Sequence, residues 1–163
     1  MNLTRDDFET IKMLGEGNFT EVYQVMYKNI KDVYFSLKVC SVKNVSAKRK
    51  ETDIIMEKHA LNKIKENLPN TPGNQVAVRL VTTFRDQFNL FFLTELLNHK
   101  LELWEHCRSF GMINRELARY TFHKICVSVS KIHELKLVHR DLKVSVFHLP
   151  DPALIIFSLK TCF

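Results

Sequence analysis

The sequence has no C-x-x-C pair, no internal repeat and no run of about 18 apolar residues. Its four cysteines, Cys40, Cys107, Cys126 and Cys162, are scattered. Without paired spacing they outline neither a disulfide framework nor a zinc site. They read as free thiols in a reducing compartment, which makes the cytoplasm the expected location. His123 and Cys126 stand three apart in a helical stretch, but no second pair accompanies them, so no metal is expected there. The missing apolar run argues against a membrane span. The opening, "MNLTRDDFETIK", is polar and soon acidic, unlike a signal peptide. Finger spacing and aromatic RNA-binding motifs are also missing, so the net charge of +6 reads as a solvated basic surface and no nucleic-acid partner is expected.

What is present is ordinary globular material. The 163 residues are 45% hydrophobic and 26% charged, enough for one domain with a real core. Residues 8–43 read as three strands, "FETIKMLGEG", "FTEVYQVMYK" and "DVYFSLKVCSV", rich in β-branched and aromatic residues. Residues 46–68 read as one helix with the stripe Ile54, Glu57, Leu61, Ile64, Leu68. "PNTPGN" ends it. Two strands follow, "QVAVRLVTTF" and "NLFFLTEL", then a short helix over 101–110. A long helix covers 114–135 with the stripe Ala118, Phe122, Ile125, Val129, Ile132. Mostly strands, then mostly helices, predicts an α+β arrangement of two unlike halves joined near 95–100.

Four constellations carry chemistry. In "LGEGNFTEV", Gly15 and Gly17 lie between two strands. Glycines there let backbone amides approach a phosphate, or simply make a hairpin turn. Lys38 interrupts an apolar strand, with Phe35, Leu37 and Val39 facing one way and Ser36 and Lys38 the other. It either faces water at an edge or meets an anion. Glu57 sits on the apolar stripe of its helix, where a carboxylate is costly unless paired. Lys38 is the obvious partner; the alternative is a rotated stripe with Glu57 half exposed. Finally, "VHRDLK" follows the long helix. Its Asp141 can accept a proton, and Lys143, two residues on, can neutralise a phosphate.

Together and in this order, these motifs resemble a eukaryotic protein kinase. "HRDLK" looks like the serine/threonine branch. The opening before "LGEGNF", and "MEKHAL" in the helix, look similar to the AGC group and its phosphoinositide-dependent kinases. The resemblance implies an antiparallel-sheet N-lobe with one main helix over about 8–95, a hinge over about 95–100 and an incomplete helical C-lobe over 101–143. It implies ATP as the cosubstrate and a protein as the phosphate acceptor. Gly15, Gly17 and Phe19 would cover the ATP phosphates. Leu14, Val22 and Ser36 would line the adenine pocket, Ser36 standing where alanine is usual. Lys38 would hold the α- and β-phosphates and pair with Glu57. Thr94 falls at the gatekeeper, and Glu95 to Leu97 at the hinge. Glu102 falls near the ribose. Asp141 would be the catalytic base, with Lys143 neutralising the transferred phosphate and Arg140 meeting a phosphorylated activation loop.

The resemblance stops after Lys143. The family continues P-E-N, and here the residues are Val144, Ser145 and Val146. Valine has no ligand atom for the second magnesium. Aligning the tail without gaps puts Leu159, Lys160 and Thr161 at D-F-G, and sliding by one puts Ser158 there, so neither register supplies the carboxylate. Mg2+ is therefore expected of the family, but its ligands are absent. Two explanations of 144–163 compete. One is a foreign tail after a truncation at Lys143. The other is a degenerate kinase hairpin made of Phe147–Leu149, a "PDP" turn and Leu154–Leu159. The first is preferred, because divergence would be spread along the chain. Either way the chain alone is expected to lack measurable kinase activity; the alternative function is a pseudokinase-like module that binds a nucleotide or a protein without catalysis.

Overall fold

A computed structural model describes residues 3–17, 19–68, 75–97, 103–111, 114–151 and 154–157. The chain divides into two units, Met1–Ile54 with Arg79–Leu96, and Ile55–Val78 with Leu97–Phe163.

The first unit is an antiparallel sheet of five strands: β1 (Phe8–Glu16), β2 (Thr20–Tyr27), β3 (Tyr34–Ser41), β4 (Leu80–Arg85) and β5 (Asn89–Glu95). Their order across the sheet is β1-β2-β3-β5-β4. Alternation along the strands puts Val25, Leu37, Phe91 and Leu93 on one face, where they form the core with Phe8. Phe8 stacks on Phe84 at 5.9 Å and Phe84 on Phe91 at 4.8 Å, so an aromatic row crosses this face. The expected strand "QVAVRLVTTF" is shorter than its apolar run, since β4 starts only at Leu80. Val76, Ala77 and Val78 are buried even so.

The expected helix over 46–68 is two helices, α1 (Val42–Ala47) and α2 (Glu51–Asn67). Ser41 caps α1, its hydroxyl accepting the Asn44 N–H. At the other end Arg49 adopts a left-handed conformation, φ 55°. Its N–H donates to the Ser46 carbonyl and that of Lys50 to the Val45 carbonyl. These two bonds are the Schellman closure of a helix, here with arginine where glycine is usual.

The second unit holds most of α2, then α3 (Leu103–Phe110) and α4 (Arg115–Glu134). Asn114 caps α4, accepting the Leu117 N–H at 2.8 Å. The far end repeats the closure of α1: Lys136 has φ 56°, its N–H donates to His133 and that of Leu137 to Ile132. The expected stripe of α4 holds at Ile132, which is buried, and at Ala118, Ile125 and Val129, which are partly buried, but not at Phe122. Phe122 is 67% exposed, while Thr121, Ser128 and Ile132 are buried. Small side chains mark where the α4 backbone packs most closely, and a phenylalanine would hold it away.

Beyond Lys143 the described residues keep regular structure. Val144–Val146 form one turn of 3-10 helix. Strands β6 (Phe147–Asp151) and β7 (Leu154–Phe157) then pair antiparallel, with Phe147 opposite Phe157. This unit packs the turn and β6 on α3, and β7 on α4. The strand pairing is compatible with either explanation of the tail; residues 158–163, with both D-F-G registers, lie outside the described residues.

Candidate active site

In the first unit the strand register assembles one group of residues. Val22 lies opposite Lys38, and Lys38 opposite Phe92. Two residues along, Ser36 lies opposite Thr94. Directly opposed residues and residues two apart share a face, so Val22, Ser36, Lys38, Phe92 and Thr94 share the face away from the Leu37 core. The Lys38 ammonium stands 5.9 Å from the centre of the Phe92 ring, a cation–π contact. The Thr94 hydroxyl points at the Ser36 carbonyl, 3.5 Å away. Lys38 therefore lies on an inner strand of a sheet, not on an edge facing water. Phe92 is a member the sequence reading missed; the alternation in "NLFFLTE" was the available signal.

The glycine stretch joins β1 to β2. Gly15 lies opposite Val22 and Glu16 opposite Glu21. A Cβ on Gly15 would meet nothing within 4 Å. Gly17 is different. Its N–H donates to the Thr20 carbonyl at 2.7 Å, so this amide is committed inside the turn. A Cβ there would come within 2.8 Å of Thr20 Oγ1. Leu14, Phe19 and Val22 are partly buried around this turn. Next to β2's start, the Tyr23 hydroxyl donates to the Glu21 carboxylate at 2.6 Å. That bond, with some burial, raises the tyrosine's pKa above its ordinary value.

Glu95 ends β5 by folding back on Arg79. Its N–H donates to the Arg79 carbonyl at 3.1 Å and its carboxylate accepts the Arg79 N–H at 2.8 Å. Leu97 opens the second unit and is partly buried. Glu102 lies outside the described residues.

In the second unit Glu57 is 2% exposed, on the α2 face that also buries Ala60, Leu61 and Ile64. The half-exposed alternative is therefore not what forms. A carboxylate at that depth is held by polar contacts, and Glu57 is not without them.

The "HRDLK" stretch follows the α4 closure. His139 is buried and its Nδ1 accepts the Asp141 N–H at 3.3 Å. Arg140 between them is left-handed, φ 63°. Strain of that kind, on the order of 1–3 kcal/mol, persists where neighbouring contacts over-determine the backbone. The anchored His139 aims the loop so that the Asp141 carboxylate and the Lys143 ammonium meet at 2.8 Å. Both remain accessible, so a base and a cation are presented together to a reactant.

Position 146, where the resemblance would put a metal ligand, is closed. Val146 is wholly buried and Phe147 nearly so. Among the described residues no group of three or more His, Cys, Asp or Glu could hold a metal ion. His123 and Cys126 are both exposed on α4 and belong to no such group. Among the described residues, Val146 does not fit the second magnesium that the resemblance would place there.

Comparison with known proteins agrees with this geometry. Residues 8–147 match the family described as protein kinase domain. The serine/threonine-protein kinase PKH3 of Eremothecium gossypii is 31% identical over 84% of this chain and 18% of its own length. The serine/threonine-protein kinase sgk-1 of Caenorhabditis elegans is 26% identical over 95% of this chain and 32% of its own. The chain thus spans less than a third of the length of these relatives. Among solved structures, Rad53 1-466 in complex with AMP-PNP superposes with a TM-score of 0.76 at 22% identity. The overlap covers 93% of this chain and 38% of that one, and shows a shared fold.

Proposed function

Because the chain belongs to the protein kinase domain family, we propose that it derives from a serine/threonine protein kinase and keeps nucleotide binding without phosphate transfer. The family reaction moves the γ-phosphate of ATP to a serine or threonine hydroxyl of a protein. Lys38, on the face shared with Val22, Ser36 and Thr94, is the cation for the α- and β-phosphates. Glu57 is assigned as its ion-pair partner. Gly15, Gly17 and Phe19 cover the phosphates; Leu14 joins the adenine pocket, with Glu95 and Leu97 as its hinge. Asp141 orients the acceptor hydroxyl and takes its proton, with Lys143 as the adjacent positive charge.

Val146 carries the negative half of this reading. Phosphoryl transfer depends on metal ions that neutralise the β- and γ-oxygens. A buried valine stands where the family has a ligand, so no transfer step is assigned to the chain as it stands. Its partners are ATP and a protein of the substrate class, and its subgroup is AGC-like. The cytoplasm suits the free thiols of Cys40, Cys107 and Cys126. No helix among the described residues is long and apolar enough to cross a membrane.

The test is incubation of the purified chain with labelled ATP, magnesium and a generic Ser/Thr substrate. No labelled protein is expected. Metal-dependent labelling that Asp141→Asn abolishes would contradict the proposal.

A further inference from the structure

The turn between β4 and β5 and the start of α1 present a surface that nucleotide binding does not use. Phe88, in this turn, is 68% exposed, and Val42, the first residue of α1, is 38% exposed. The Val42 N–H donates to the Phe88 carbonyl at 2.9 Å, so the two apolar side chains leave neighbouring points of the first unit. Looseness does not explain the exposed ring. The Phe88 N–H is held by the Asp86 carboxylate at 2.7 Å, and Asn89 beside it pairs with Ser41 of β3. Scattered exposed apolar residues mean nothing singly, but these two are ringed by cations. Lys43 follows Val42, and Arg85 leads into the turn. Helix α1 is only about 9 Å long, so Lys48 and Arg49 at its far end belong to the same surface. All four cations are exposed. Two nearby anions are engaged: Asp86 by the Phe88 and Asn89 amides, and Asp53 by Lys50 at 2.6 Å. Glu51 is exposed and opposes the cations, and the balance stays positive.

We propose that this surface docks the chain on an anionic bilayer, with Phe88 and Val42 entering the headgroup layer and Lys43, Lys48, Arg49 and Arg85 meeting the lipid anions. Aromatic rings settle at the membrane–water interface. Each nearby Lys or Arg adds attraction to a negative leaflet, and salt weakens it. Phe88 stands at a hairpin turn, where a yielding apolar phase can receive it without a preformed pocket. Val42 offers no ring for a nucleic-acid base to stack on, which favours lipid over nucleic acid. This docking role does not rest on nucleotide binding, and it needs no helix that spans the membrane.

The experiment sediments the full chain with vesicles of phosphatidylcholine and phosphatidylserine in equal parts, and with phosphatidylcholine alone. The chain is expected to pellet with the mixed vesicles, less so as salt rises, and to stay in solution with phosphatidylcholine. Phe88→Ser should weaken binding to the mixed vesicles about fivefold or more. Lys43→Gln combined with Arg49→Gln should weaken it about fivefold for each charge removed. These variants change exposed side chains and should keep the melting temperature of the wild type. Should Phe88→Ser not fold, Phe88→Trp in a Trp104→Phe background keeps an aromatic ring, and its fluorescence should shift to the blue when mixed vesicles are added. No pelleting, equal pelleting with phosphatidylcholine alone, or no blue shift overturns the proposal. So does binding that the charge variant abolishes and Phe88→Ser leaves intact, which would assign the cations to a soluble acidic partner.

Discussion

The Lys143 ammonium and the Asp141 carboxylate meet at 2.8 Å, with their side chains 52% and 42% exposed. A pair so open to water contributes about 0–1 kcal/mol to stability. The contact therefore matters for what the two groups present to a reactant. Asp141→Asn is expected to leave the melting temperature nearly unchanged. A fall of the size seen for a core substitution would show that the pair is structural.

Two helices end on a left-handed basic residue, Arg49 after α1 and Lys136 after α4. That conformation costs an L-residue about 1–2 kcal/mol. Glycine avoids this but loses more backbone freedom on folding, about 0.5–1 kcal/mol. Lys136→Gly should therefore stabilise the chain by about 0.5–1 kcal/mol, read as a higher denaturant midpoint. A lower midpoint would mean that the lysine side chain makes contacts worth more than the strain.

Val146 is fully buried in the unit that contains α3 and α4. The asparagine that the resemblance implies there would bury an amide at this depth, at about 1–3 kcal/mol if left without partners. Val146→Asn is expected to lower stability by that amount and to gain no magnesium-dependent shift in melting temperature. A stabilised variant that responds to magnesium would refute the closed-site interpretation.

Asp86 organises the turn from β4 to β5. Its carboxylate accepts the Phe88 and Asn89 amides at 2.7 and 2.6 Å. Desolvation pushes its pKa up, but those amide bonds outweigh it and leave the group below its ordinary value of 3.8. A depressed carboxylate adds stability that is present above the unfolded value and lost as pH falls through the folded one. Urea midpoints measured downward from about pH 5 should fall less steeply in Asp86→Asn than in wild type. Parallel acid limbs would remove Asp86 from the account.

Much of the fold was legible because the patterns were regular. Alternation placed Leu37 inside and Lys38 on the opposite face, and the α2 stripe placed Glu57 among buried residues. The break between α1 and α2 was not legible, because the usual sign is glycine and here it is Arg49. The α4 face was read correctly at Ile132 but not at Phe122, which faces outward, and the small polar Thr121 and Ser128 are buried. In the tail, the sequence shows that position 146 is a valine, and the structure adds that this side chain is fully buried. Its burial was not legible, since that depends on packing within the second unit.

The most direct test is the melting temperature of the chain with and without ATP, repeated in Lys38→Ala. The account predicts a rise in the wild type, up to the equivalent of about 2.7 kcal/mol when ATP is a hundredfold above its dissociation constant, and no rise in the variant. No rise in the wild type, or an equal rise in Lys38→Ala, would contradict it.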